Sequence, residues 1–163
     1  MNTHPDTPKN AFTLFWLGTG LVILLILGLA WSMTLGSGKS TLITVYKSST
    51  CQCCTAWVDH LLKNGFAVTV ETREDMNALK RELGLPSGVA SCHTGVIGGY
   101  LVEGHVPAED LRRLLQERPA VQGIAVPGMP VGSPGMEVPG EKPERYEVVT
   151  FTRDGATRVF ATH

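Results

Sequence analysis

Three cysteines in four residues, Cys51-Gln52-Cys53-Cys54, oblige any fold of this chain to hold three sulfurs in one small volume. The fourth cysteine stands apart, in Ser91-Cys92-His93. Cys51 and Cys54 have the C-x-x-C spacing of redox dithiols. Cys53 adds a sulfur that a dithiol switch does not need but a soft-metal site can use. Thiolates select Cu(I), Zn(II) or iron–sulfur centres over hard cations.

The N-terminus bears on compartment. No charged residue occurs between Lys9 and Lys39, and residues 12–35 are rich in Leu, Ile, Val, Phe and Trp. A membrane-crossing helix needs about 20 apolar residues. Trp16 and Trp31 lie near the two ends, where aromatic belts form. The rival reading is a cleaved signal peptide, whose apolar region runs to only about 7–15 residues. Ala30-Trp31-Ser32 is a passable cleavage site for it. Lys9 and Lys39 flank the span almost evenly, so orientation is weakly encoded. Both readings export the remainder. The expectation is a tail and transmembrane anchor (or signal peptide) over residues 1–38, and one domain over residues 39–163. That domain is expected in the periplasm, anchored to the inner membrane or released if the segment is cleaved. The net charge is −1 and no Lys/Arg run occurs, which argues against a nucleic-acid partner.

Leu42-Ile43-Thr44-Val45-Tyr46 reads as a strand, and Ser48, Ser49 and Thr50 can cap a following helix. Trp57, Val58, Leu61 and Leu62 recur at helical spacing, and Asn64-Gly65 closes that helix. Residues 66–71 alternate as a second strand. Thr72-x-x-Asp75 resembles a capping box before Met76, Leu79 and Leu83, with Gly84 closing the second helix. After a loop, Gly98-Gly99 joins two short strands as a tight hairpin. Pro107 can open a third helix, with Glu109 and Asp110 at its positive end. The order is β-α-β-α-β-β-α, with C-x-x-C at the first strand-to-helix junction. This is an α/β, thioredoxin-like arrangement. Residues 127–143 then hold five prolines, four glycines, Met129 and Met136, which reads as an ordered loop or lid. A second hairpin turns at Asp154-Gly155.

Such a sheet makes a spatial prediction. The hairpin's first strand runs antiparallel beside the first strand of the domain, so Cys92 is expected to face Cys51, Cys53 and Cys54. Neighbouring strands lie about 4.8 Å apart, a spacing that suits thiolates sharing a metal. The returning hairpin strand, taken as the sheet edge, delivers His105 about 10 Å from the first strand. His93 follows Cys92, and adjacent strand residues point oppositely. His105 therefore ranks above His93 as a ligand. Cys53 and Cys54 lie at a helix N-terminus, whose field is expected to lower their thiol pKa values. Four thiolates carry −4, which four Cu(I) or two Zn(II) neutralise. Bridging thiolates can hold several Cu(I) ions, so copper is the preferred metal. Met129 and Met136 offer two thioethers if the loop returns to the cysteine end.

At these residues the chain resembles the CopG-like family of bacterial copper-resistance proteins, small exported metal-binding domains. The resemblance begins with Cys51-Gln52-Cys53-Cys54 followed by Trp57 and His60, then Ser91-Cys92-His93-Thr94. It continues through Gly98-Gly99-Tyr100-Leu101-Val102-Glu103-Gly104-His105-Val106-Pro107. Pro127-Gly128-Met129-Pro130-Val131, Gly132-Ser133-Pro134-Gly135-Met136-Glu137 and Val159-Phe160-Ala161 complete it. The resemblance implies a thioredoxin-like fold, copper held through the cysteines, and a role in copper tolerance by sequestration, relay or Cu(I)/Cu(II) cycling. Expected partners are copper ions, the membrane and other periplasmic copper-handling proteins. Ordinary thioredoxins place a cis-proline where this chain has Ser91-Cys92. That departure counts against a general disulfide exchanger.

The expected ligands are thus Cys51, Cys53, Cys54 and Cys92, with His105 auxiliary. One alternative is a thiol–disulfide oxidoreductase using Cys51 and Cys54. Another is a pair of structural disulfides, Cys51–Cys54 with Cys53–Cys92. A third is an iron–sulfur cluster. His60 is expected on the side or solvent face of the first helix. His4 and His163 are expected to be solvated. The acidic residues Glu109, Asp110 and Glu137 show no paired-carboxylate signal for acid–base catalysis.

Overall fold

The computed structural model of the chain describes residues 41–163. The expected anchor, residues 12–35, and His4 lie outside the described residues. Among the described residues no helix is long and apolar enough to cross a membrane.

The described residues form a mixed α/β unit with three α-helices and one seven-stranded sheet. Strand β1 (Leu42–Lys47) leads through a turn into helix α1 (Cys53–Lys63). Strand β2 (Ala67–Thr72) and helix α2 (Met76–Glu82) follow. A short 3-10 turn (Ser87–Val89) precedes the hairpin of β3 (His93–Ile97) and β4 (Tyr100–Glu103). Helix α3 (Ala108–Glu117), strand β5 (Gly123–Ala125) and the hairpin of β6 (Glu147–Phe151) and β7 (Thr157–Thr162) complete the chain. The sheet order is β2-β1-β3-β4-β5-β6-β7.

Strand alternation and helix periodicity produce the core directly. Ile43 and Val45 point from β1 to one face and are fully buried. There they join Trp57 and Leu61 of α1 and Leu111 and Leu114 of α3. The opposite face carries a smaller cluster of Val89, Leu101, Ala125 and Phe151, with Leu83 and Leu85 packed against it. Burying a large apolar side chain contributes about 1.5–3 kcal/mol. The Trp57 face of α1 is therefore a major fastening of that helix to the sheet. The indole N–H also donates to the Val106 carbonyl at 2.9 Å.

Several expectations change. The hairpin strand β4 is not an edge, because β5 pairs with it in parallel, Leu101 opposite Gly123. Strand β5 is only three residues long, too short for a periodic signal. Asp75, not Thr72, caps α2, its Oδ1 accepting from Ala78 N–H at 2.8 Å, while Thr72 is the last residue of β2. Gln52, not the Ser48–Thr50 stretch, precedes α1, and its side chain makes no capping bond. His163 is exposed, as expected, but its ring is engaged. Its Nε2 lies 2.7 Å from Asp110 Oδ2 and its ring stacks on Tyr146.

Gly123 shows why β5 takes this sequence. A Cβ there would stand 2.0 Å from the Leu101 carbonyl oxygen and 2.7 Å from the Phe151 ring. Gly123→Ala must push β4 from β5, and overpacking of this kind costs about 1–3 kcal/mol. Urea unfolding followed by circular dichroism is expected to show a loss toward the top of that range.

Candidate metal centre

The register between β1 and β3 builds the site. Lys47, the last residue of β1, pairs with His93, the first of β3. The chain leaving β1 toward Cys51 and the chain arriving at β3 through Cys92 therefore meet at one end of the sheet. Helix α1 starts there at Cys53, so its first turn brings Cys53 and Cys54 to the same place. Cys92 Sγ lies 3.4 Å from Cys54 Sγ and 3.9 Å from Cys53 Sγ. Cys51 Sγ lies 3.6 Å from Cys53 Sγ. All four sulfurs fall within 4.8 Å of one another.

Cys51 and Cys54 are joined as a disulfide, while Cys53 and Cys92 are free thiols. In this oxidised form Cys54 carries no titrating proton, so the expected lowering of its pKa does not arise. Burial, then the adjacent Cys53, pushes the Cys92 thiol from 9.0 up to about 11. At neutral pH Cys92 is therefore a protonated thiol until a cation displaces the proton.

Strand β4 runs on through Gly104 to His105, which is fully buried. Its Nδ1–H donates to the Pro134 carbonyl at 2.7 Å, and its Nε2 is buried without a partner. The same contact shows that the Pro/Gly-rich loop returns to the cysteine end. Gly135 presses so close to α1 that a Cβ would stand 2.8 Å from the Trp57 backbone nitrogen.

His93 corrects the sequence expectation. It is fully buried and points into the same region, with Nδ1 3.6 Å from Cys92 Sγ. Strand alternation does not separate the two residues because Cys92 sits in a bend and the strand begins only at His93. The His93 ring lies 4.5 Å from the Trp57 ring and 5.2 Å from His105, centroid to centroid. Cys92, His93 and His105 each place one ligand atom within 4.8 Å of the others. His60 does not join them. Its Nε2 accepts from Ala108 N–H at 3.1 Å, satisfying a free donor at the start of α3.

A buried ion pair stands behind Cys92. Lys80 and Glu103 form a buried ion pair, Nζ lying 2.8 Å from each carboxylate oxygen. Lys80 also donates to Thr94 Oγ1 at 2.7 Å and to the His93 carbonyl at 3.3 Å. Glu103 accepts from Ser91 N–H at 2.7 Å. The pair thus grips the segment on both sides of Cys92. A signal existed, since Met76, Leu79, Lys80 and Leu83 share one helical face. Lys80 is the charged member of that apolar stripe.

Burial, with His105 nearby, lowers the His93 imidazole from 6.5 to about 3, against the pull of the Gly104 carbonyl. Burial also lowers His105, against the Pro134 carbonyl. The unfolded chain takes up protons on these rings that the folded chain refuses. Stability is thus fully present above about pH 6.5 and is lost as pH falls toward the folded values. Each withheld proton is worth up to about 1.4 kcal/mol per pH unit. Metal-free protein is expected to show a urea midpoint that drops between pH 6.5 and about 5. His93→Phe is expected to flatten that slope. A second expectation concerns the ion pair. Lys80→Met strands a buried carboxylate and is expected to cost about 3–5 kcal/mol, with Lys80→Met/Glu103→Leu recovering most of it.

Comparison with known proteins adds three findings. Residues 89–136 match a family model described as "Protein of unknown function, DUF411". The solved structure "Copper resistance protein copG- Form 1" is 50% identical, with a TM-score of 0.70, over 77% of this chain and 98% of that chain. "Copper resistance protein copG- Form 2" is also 50% identical, with a TM-score of 0.71, over 77% of this chain and 99% of that chain. No curated protein matches.

Proposed function

Because the chain belongs to the CopG-like family of copper-resistance proteins, we propose that it is an exported copper-binding protein that holds Cu(I) through a cluster of thiolates. Cys51, Cys53, Cys54 and Cys92 are the thiolate ligands of the reduced form, and His105 is an auxiliary one. The observation that carries this reading is Cys92, which reaches within 3.4 Å of Cys54 and 3.9 Å of Cys53 from a separate strand. A dithiol switch has no use for that convergence, whereas a bridged multinuclear centre needs it. Soft thiolates favour Cu(I), and four monovalent ions balance four thiolates.

We assign the unit to the thioredoxin-like class on its element order and on the C-x-x-C at the first strand-to-helix junction. The uncharged residues 12–35 support an inner-membrane anchor with a periplasmic domain, or secretion if that segment is cleaved. In that compartment the protein would sequester copper, pass it to other copper-handling proteins, or cycle it between valences. When reduced, the Cys51–Cys54 dithiol balances such cycling. Two Cu(II) take two electrons as two thiols become a disulfide and release two protons.

The disulfide itself favours a second reading, a thiol–disulfide oxidoreductase working through Cys51 and Cys54. The two readings separate by experiment. Fully reduced protein titrated anaerobically with Cu(I) is expected to take up several ions per chain, and Cys92→Ser is expected to lower that number sharply. Unchanged stoichiometry in Cys92→Ser would defeat the shared cluster. Disulfide reductase activity that survives in Cys53→Ser and Cys92→Ser would instead establish the enzyme.

A further inference from the structure

The two buried histidines behind Cys92 have their hydrogens placed by the backbone. His93 Nε2 lies 3.0 Å from the Gly104 carbonyl, and His105 Nδ1 lies 2.7 Å from the Pro134 carbonyl. A carbonyl only accepts, so each of those nitrogens carries the proton. The opposite nitrogen of each ring is then a bare lone pair. For His93 that atom is Nδ1, 3.6 Å from Cys92 Sγ. For His105 it is Nε2, fully buried and bonded to nothing. A buried acceptor without a partner is costly, and a cation would satisfy it. Imidazoles whose outer N–H is held by a carbonyl are oriented in the way metal-binding histidines are.

The spacing also fits. A metal bonded to sulfur at about 2.3 Å and to nitrogen at about 2.0 Å, in trigonal geometry, sets those two atoms about 3.7 Å apart. Cys92 Sγ and His93 Nδ1 are 3.6 Å apart. A ring nitrogen of His105 lies within 4.8 Å of Cys92 Sγ and of a ring nitrogen of His93. None of the three belongs to the Cys51–Cys54 disulfide, so oxidation of that dithiol removes no ligand from the set.

We infer that Cys92, His93 and His105 form a mononuclear copper subsite of one thiolate and two imidazoles, which stays available when Cys51 and Cys54 are disulfide-bonded. The subsite deepens the copper handling proposed above. It differs from the four-thiolate set in chemistry, because one sulfur with two imidazoles accepts copper as Cu(II) as well as Cu(I). The set of four thiolates serves the reduced chain, and the mixed set serves the oxidised one. Cys92 is common to both.

The test uses the full chain with the disulfide intact and Cys53→Ser, which leaves Cys92 as the one free thiol. Co(II), which does not oxidise thiols, is titrated under argon as the probe. The expected result is one Co(II) per chain, with a thiolate-to-metal charge-transfer band and the strong d–d bands of a four-coordinate ion. His93→Gln and His105→Gln are each expected to weaken binding at least tenfold. No uptake by the parent, or unchanged uptake in both glutamine variants, would overturn the subsite. If a variant does not fold, the parent alone decides through proton spectra of the Co(II) form. Two hyperfine-shifted exchangeable signals, from His93 Nε2–H and His105 Nδ1–H, support the assignment, and fewer than two defeat it. Cu(I) stoichiometry of the reduced chain is read separately. Several Cu(I) per chain with no Co(II) subsite would remove this inference and leave the cluster standing. A Co(II) subsite beside an absent Cu(I) cluster would do the reverse.

Discussion

The antiparallel register of β1 and β3 is the constraint on which the candidate metal centre depends. Lys47 pairs with His93, so both strands stop at the same level. One chain leaves the sheet there toward Cys51 and the other enters through Cys92. Helix α1 then has to begin close by, since only a short turn separates β1 from Cys53. A slip of one residue would send the side chains of β3 to the opposite face. The buried side chains of Ile43, Val45 and Ile97 hold the register from within the sheet.

That register alone does not fix the direction of Cys92, which sits in a bend before the strand. The Lys80–Glu103 pair supplies the rest. Glu103 lies opposite Thr94 on the neighbouring strand and reaches back to the Ser91 amide. Lys80 neutralises it and holds the His93 carbonyl. Buried ion pairs are weak evidence of stability in themselves, because desolvation offsets much of the attraction. Their directionality is the useful property here. Residues on both sides of Cys92 are held by charged hydrogen bonds, so the sulfur is oriented before any metal arrives.

Much of this was legible in the sequence, and the parts that were not share a cause. The C-x-x-C-containing junction, the Gly98-Gly99 hairpin and the convergence of Cys92 follow from short-range pattern and from the handful of ways such elements can pair. Strand β5 was not legible, because Gly123-Ile124-Ala125 is too brief for alternation to register, and its absence made β4 look like an edge. The inward turn of His93 was hidden by applying strand alternation across a residue that precedes the strand. A lysine on a helix is usually solvated, and only the place of Lys80 on the Met76 and Leu83 stripe points to its burial. Local pattern gives the elements. The exceptions come from tertiary contacts made by single residues.

If the two proposed ligand sets share Cys92, a thermodynamic consequence follows. With the disulfide closed, the sulfurs left free are Cys53 and Cys92, and the two imidazoles weigh more in the donor balance. Opening it supplies two further thiolates and shifts the balance toward soft donors, which favour Cu(I). In that proposal the preferred valence of copper is linked to the state of the dithiol, because the two ligand sets share Cys92. With the disulfide closed, burial and then Cys53 push the Cys92 thiol up to about 11, so a cation binding there has to displace a proton. The separation of Cys92 from the other cysteines along the sequence therefore has a physical rationale. Cys92 reaches the centre from the segment leading into β3 and takes no part in the Cys51–Cys54 disulfide, so opening that bond alters no bond of Cys92.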